Sequence, residues 1–145
     1  MAVVIAYIDS SVLLRVLLEQ PNPLQEWESL DVVVSSTLLE VEVRRTLDRF
    51  WLRHELSDSE LARATADADV ILRRFIYAEL DPRILQIASR PMPAILGTLD
   101  ALHLATAVLY RDAQPGGEPS IVFATHDRQL AVAAEAMRFT VIGKE

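Results

Sequence analysis

The chain has no cysteine among its 145 residues. That excludes thiol nucleophiles, thiolate zinc sites and disulfides, and it fits a reducing compartment. Glycine is scarce, at four residues, and neither G-x-x-x-x-G-K-[ST] nor G-x-G-x-x-G occurs. The phosphate-cradling loops of nucleotide-dependent enzymes are therefore missing. G-x-S-x-G is absent too, and with it the nucleophile elbow of acyl hydrolases. Lysine is confined to Lys144, the other cations are all arginine, and the formal net charge is −7. An acidic balance excludes a general nucleic-acid-coating role, although arginine suits bidentate contact with individual phosphates. No run reaches the ~18 apolar residues of a membrane span, and "MAVVIAYIDSS" meets an acid at Asp9 where a secretory leader would stay apolar. These absences predict a cytoplasmic protein with no membrane contact.

The length predicts one domain over residues 1–145, enough chain for a core that needs no metal or disulfide. A hydrophobic fraction of 51% is high for a small monomer and predicts apolar surface covered by a partner. Short β-branched runs at Val3–Ile8, Asp31–Ser36, Ile121–Thr125 and "FTVI" read as strands, and "RFIYAEL" allows a fifth. Helical patterns separate them. One follows "DSS" as far as "PNP", and one spans Thr37 to about Glu55. Another opens at a Ser57/Glu60 capping box and runs toward Leu80, a brief one covers "DPRILQIAS", and two follow Thr98 and "HDRQ". "QPGGEPS" reads as a loop. Strand–helix alternation without a hairpin signal predicts a three-layer α/β/α domain, with a central, mainly parallel sheet of four to five strands.

Ligands of such a sheet bind beyond the carboxyl ends of its strands. Asp9 and Asp127 fall there, and each also suits the plain role of capping the next helix. Ser10, Ser11 and Thr125 are small hydroxyls beside them. Asp100 opens "TLDALHLATAVLY", a helix apolar on nearly every face, with Thr98 or Leu99 expected as its cap. A first-turn acid is favoured by the helix dipole, but a buried one calls for something to neutralise it. His103 stands one turn on, either bonded to Asp100 or satisfied as a core histidine; no second imidazole makes a zinc site. In the long helix, Thr37 with Glu40 matches a capping box. That leaves Glu42, one turn before Arg45, as the candidate for chemistry and Glu40 as the alternative. Packed together, Asp9, Glu42, Asp100 and Asp127 would repel one another. A hard divalent cation, Mg²⁺ or Mn²⁺, would resolve that repulsion and could promote phosphoryl displacement.

In order and context, "YIDSSVLL", "SSTLLEVEVRRTL", "TLDALHLATA" and "FATHDRQLA" resemble the PIN domains, specifically the VapC-type toxin ribonucleases. The resemblance spans nearly the whole chain, and "DALHLATA" is its most specific piece. It implies a Mg²⁺- or Mn²⁺-dependent endoribonuclease that leaves a 5′-phosphate and a 3′-hydroxyl. It also implies a VapB-like antitoxin partner and a homodimer. Carried over residue by residue, it implies Asp9, Glu42, Asp100 and Asp127 as the acidic site. Ser10, Thr125 and Arg45 would support them, and Arg44, Arg49 and Arg53 could contact RNA. Arg138 departs from the family, standing where a glycine often precedes the last strand. The competing reading is a non-catalytic α/β module that binds a partner helix through its apolar surface.

Overall fold

Tyr7 and its neighbours show why the first apolar run becomes a strand. In β1 (Ile5–Ile8), Ala6 and Ile8 pack into one hydrophobic cluster and Tyr7 into another. Successive side chains of a strand point to opposite faces, so a strand covered on both faces must be apolar throughout. In this computed structural model, which describes residues 3–115 and 121–144, β1 is the middle strand of five. The others are β2 (Val32–Ser36), β3 (Ile76–Ala78), β4 (Ile121–Ala124) and β5 (Thr140–Ile142). Their order is β3-β2-β1-β4-β5, and every pairing is parallel. The register sets Ile5 opposite both Val32 and Ile121.

Six α-helices connect and cover the strands: α1 (Ser10–Leu17), α2 (Leu38–Leu52), α3 (Asp58–Leu72), α4 (Pro82–Ala88), α5 (Thr98–Asp112) and α6 (Arg128–Ala136). Residues of α1, α2 and α3 join Ala6, Ile8 and Val33 in one cluster. Residues of α5 and α6 join Tyr7, Val34 and Phe123 in the other, and α4 packs on α5. The result is the three-layer arrangement expected, with an all-parallel sheet.

Several boundaries differ from expectation for local reasons. Thr37 has helical backbone angles and no side-chain cap; Ser36 Oγ instead accepts from Leu38 N–H at 3.1 Å. The expected Thr37–Glu40 capping box is therefore absent, and Glu40 pairs with Arg44 at 2.8 Å. The helix ends at Leu52 rather than Glu55, with His54 at φ +61° in the left-handed region. Gly97, not Thr98 or Leu99, caps α5. The helix expected to run toward Leu80 stops at Leu72, and "IYA" becomes β3. The expected loop "QPGGEPS" lies mostly outside the described residues. Arg138 adopts φ +70° ahead of β5, which makes the turn that a glycine makes more easily. Gly143 follows β5 at φ +88°, and a Cβ there would come within 2.9 Å of the Thr125 carbonyl oxygen.

The Ser57–Glu60 capping box is formed in both directions, at 3.1 and 2.9 Å. Ser57→Ala should lower the unfolding free energy by about 1 kcal/mol. A urea titration would measure the loss, and the acidic site on the opposite side of α2 should be unaffected.

Candidate active site

Two acids reach the carboxyl edge of the sheet as helix caps. Asp9 follows β1 and accepts from Val12 N–H at 3.4 Å, so it opens α1. Asp127 follows β4 and accepts from Leu130 N–H at 2.8 Å, so it opens α6. Both therefore perform the plain capping role, and each keeps oxygen capacity beyond it, because a carboxylate accepts about four hydrogen bonds. Thr125 links them. Its hydroxyl donates to Asp9 Oδ2 at 2.8 Å and accepts from Asp127 N–H at 3.0 Å. Ser11 donates to Asp9 Oδ1 at 2.6 Å and accepts from His126 N–H. Burial pushes the Asp9 carboxyl above its ordinary range, and the Ser11 and Thr125 hydroxyls oppose that shift.

Glu42 arrives from α2, the helix after β2, and is nearly buried. Ser10 Oγ donates to its Oε2 at 3.3 Å, and His103 Nε2 bonds its Oε1. His103 does not bond Asp100. Its other ring nitrogen, Nδ1, meets the Tyr7 hydroxyl at 2.7 Å. Glu40 lies apart from this group, exposed and paired with Arg44, which places Glu42 and not Glu40 among the acids. Arg45 does not reach the site; it is largely exposed and pairs with Asp48 at 3.0 Å, within its own helix. Arg44 is likewise occupied, bonding Glu40 and Asp69 and so tying α2 to α3. At 3.6 residues per turn Arg49 and Arg53 fall on the Glu42 side of α2 and Arg44 on the other.

Asp100 completes the group from the first turn of α5, half-buried. Its carboxyl is pushed up to about 6. Burial is the main cause, followed by repulsion from Asp127 and Asp9 and, more weakly, Glu42; His103 opposes them. Asp100 thus feels the charges of Asp127, Asp9 and Glu42, although the four acids come from four separate elements. Tyr7, on the strand below, is the partner of His103 that sequence reasoning missed. Its only signal was a phenol inside a run of otherwise aliphatic strand residues.

The donor set is that of a hard cation: carboxylate oxygens backed by serine and threonine hydroxyls. Among the described residues, no three acidic or histidine side chains stand close enough to enclose a bare ion. Mg²⁺ and Mn²⁺ keep several of their own waters and so need few protein ligands.

The raised Asp100 carboxyl has a consequence for stability. Its folded state holds a proton that the unfolded chain has already released, so this group's contribution falls as pH rises from about 4 through 6. A displacement of that size is worth at most about 3 kcal/mol, and solvent screening of a half-exposed group leaves about 1 kcal/mol. Asp100→Asn should therefore stabilise the metal-free protein at pH 7.5 by about 1 kcal/mol and flatten its stability between pH 4 and 6. Thermal melts across that range in EDTA would show it.

Relatives carry the same chain plan. A family model described as the PIN domain matches residues 6–136. Ribonuclease VapC45 of Mycobacterium tuberculosis (strain CDC 1551 / Oshkosh) and ribonuclease VapC49 of Mycobacterium tuberculosis (strain ATCC 25618 / H37Rv) are each 34% identical over 111 residues. The match covers 76% of this chain and 73% of theirs. The crystal structure of PAE2754 from Pyrobaculum aerophilum superposes with a TM-score of 0.60 at 20% identity, over 97% of this chain and 84% of that one, which shows a shared fold. With the family match running from β1 through α6, the chain belongs to the PIN-domain family, in its VapC-type branch.

Proposed function

We propose that this protein is a Mg²⁺- or Mn²⁺-dependent endoribonuclease that hydrolyses RNA phosphodiester bonds as the toxin of a VapBC-type toxin–antitoxin pair. The observation that carries the proposal is the convergence of Asp9, Glu42, Asp100 and Asp127, with Asp100 driven up to about 6 by burial and its acidic neighbours. A fold spends stability on such repulsion where a cation relieves it during function. The resemblance to curated ribonucleases supports the same reading.

In this reading the four carboxylates hold the cation, and Ser10 and Thr125 keep Glu42 and Asp9 oriented toward it. A bound Mg²⁺ or Mn²⁺ would supply an activated water and charge stabilisation at the scissile phosphate. The chain's own groups then dictate approach. An acidic mouth repels a bare phosphate backbone, so RNA enters only where cations flank the site. Arg49 and Arg53, on the Glu42 side of α2, are the flanking cations this reading assigns. The products would carry a 5′-phosphate and a 3′-hydroxyl.

The partner proposals rest on exposed apolar side chains. Trp51 with Leu61 and Ala62 lines a shallow groove between α2 and α3, a surface suited to an amphipathic antitoxin helix. Leu85, Ile95 and Leu99 are exposed near the α4–α5 junction and suit a homodimer contact. No helix among the described residues is long and apolar enough to cross a membrane. The compartment this function requires is the cytoplasm, where RNA and a co-encoded antitoxin are made.

Cleavage of a mixed-sequence fluorogenic RNA is the direct test, run with Mg²⁺, with Mn²⁺ and with EDTA, beside Asp100→Asn prepared identically. The expected result is metal-dependent cleavage that EDTA abolishes. Loss of Asp100 should lower it by more than the ~100-fold that outer-shell partners can cost. Equal activity in the variant would remove Asp100 from the site. Inactivity of the folded wild type on several RNAs would favour the helix-binding module. Sedimentation of the purified chain should give about twice its 16.2 kDa mass; a monomer at micromolar concentration would overturn the homodimer.

A further inference from the structure

Tyr7, His103 and Glu42 form a line of side chains that leads from the core to the acidic site. Tyr7 on β1 and His103 on α5 are inaccessible to solvent, at 0% and 1% exposure. Glu42 on α2 is the end of the line that meets solvent. Tyr7 and His103 also pack edge to face, with ring centroids 5.8 Å apart and planes at 72°. On its far side Tyr7 stacks on Phe123 at 5.3 Å. Both rings are thus clamped by the core.

The positions of the hydrogens follow from what each atom can give. A carboxylate oxygen has no hydrogen to donate, so in the contact with Glu42 Oε1 the hydrogen sits on His103 Nε2. In a neutral imidazole the other nitrogen is then an acceptor. Nδ1 and the Tyr7 hydroxyl share a hydrogen bond at 2.7 Å, in which the hydroxyl donates to the neutral ring. Burial keeps Tyr7 a phenol, far above its ordinary range of ionisation. Turning the imidazole over would set carbon where each nitrogen now stands and break both bonds, so one ring orientation is selected. Leucine would fill the same core space without any polar atoms to satisfy, and buried polar chains are costly unless fully paired. Each member of this line is paired, with the Ser35 and Thr106 hydroxyls also beside that of Tyr7, and the line reaches the acidic site at Glu42.

We propose that His103, oriented by Tyr7, is a positioning residue that occupies Oε1 of Glu42 and leaves Oε2, beside Ser10, as the one oxygen Glu42 offers a divalent cation. The inference rests on the metal-dependent reading above. His103 touches neither RNA nor cation; it acts through Glu42 alone.

Mn²⁺ binding to the full-length protein without RNA tests this, followed by electron paramagnetic resonance of the free ion. The variants are His103→Leu, His103→Gln, Glu42→Gln and the Glu42→Gln/His103→Leu double replacement, each checked for folding by circular dichroism. His103→Leu should weaken Mn²⁺ binding about 10-fold or more. His103→Gln, whose amide N–H can reach Glu42, should recover most of the loss. In the Glu42→Gln background the leucine replacement should change binding by less than about 2-fold, because the residue it acts through is already altered. Should His103→Leu not fold, Tyr7→Phe, which should also weaken Mn²⁺ binding, and a metal-free spectroscopic reading still decide. Ring ¹⁵N chemical shifts of the wild type should show His103 protonated at Nε2, with Tyr7→Phe shifting protons toward Nδ1.

Equal Mn²⁺ affinity in wild type and His103→Leu would overturn the proposal, as would the same loss in both backgrounds or a wild-type ring protonated at Nδ1 alone. Mn²⁺ binding by the wild type that ignores His103 would overturn positioning and leave the metal reading standing. No Mn²⁺ binding by the wild type would overturn both.

Discussion

Repulsion among four carboxylates at the carboxyl edge of the sheet is the constraint around which the rest of the structure is arranged. Burial first, and then the charges of Asp127, Asp9 and Glu42, raise the cost of ionising Asp100. The fold bears it with helix termini. Asp9 caps α1, Asp127 caps α6, and Asp100 lies in the first turn of α5, so three of the acids meet the positive end of a helix dipole. Glu42 is the exception. It lies beyond the first turn of α2 and is held by Ser10 and His103 instead. Capping leaves these side chains oxygen capacity to spare, so the plain role of Asp9 and Asp127 does not compete with the proposed one.

Topology brings these acids together. From β1 the chain proceeds outward through β2 to β3, then returns through α4 and α5 to lay β4 on the other side of β1, next to β5. The strand order therefore reverses between β1 and β4, the switch point at which open parallel sheets bind ligands. Asp9 and Asp127 stand on its two sides, with Thr125 between them. The returning crossover carries Asp100 to the same place, and the helix after β2 carries Glu42.

Arginine has a double life in this chain. The composition suggested phosphate contacts, yet much of the arginine braces the scaffold. Arg44 joins α2 to α3, Arg74 lies over Trp27 and donates to the Leu30 carbonyl, and Arg111 lies over Phe139 and donates to the Met137 carbonyl. The planar guanidinium can stack and donate at once, which lysine cannot do as well. These three arginines are taken up within the fold rather than offered to phosphate.

The order of strands and helices, the two capping acids, the Ser57 box and the candidate acids were legible in the sequence, because each rests on short-range chemistry. A β-branched run, a carboxylate before a helix and a Ser-x-x-Glu spacing depend on neighbours a few residues away. Glu42 was favoured over Glu40 on a Thr37–Glu40 capping box that does not form, and the isolation of Arg45, the cap at Gly97 and the partners of His103 were not legible. They depend on which face of α2 turns toward β1 and on what approaches across 61 residues from α5 or 96 from β1 to His103. Local sequence thus determined which residues could become strands, caps and ligands. Only the tertiary structure decided which of them meet, because burial and long-range hydrogen bonds are set by packing between layers rather than by spacing along the chain.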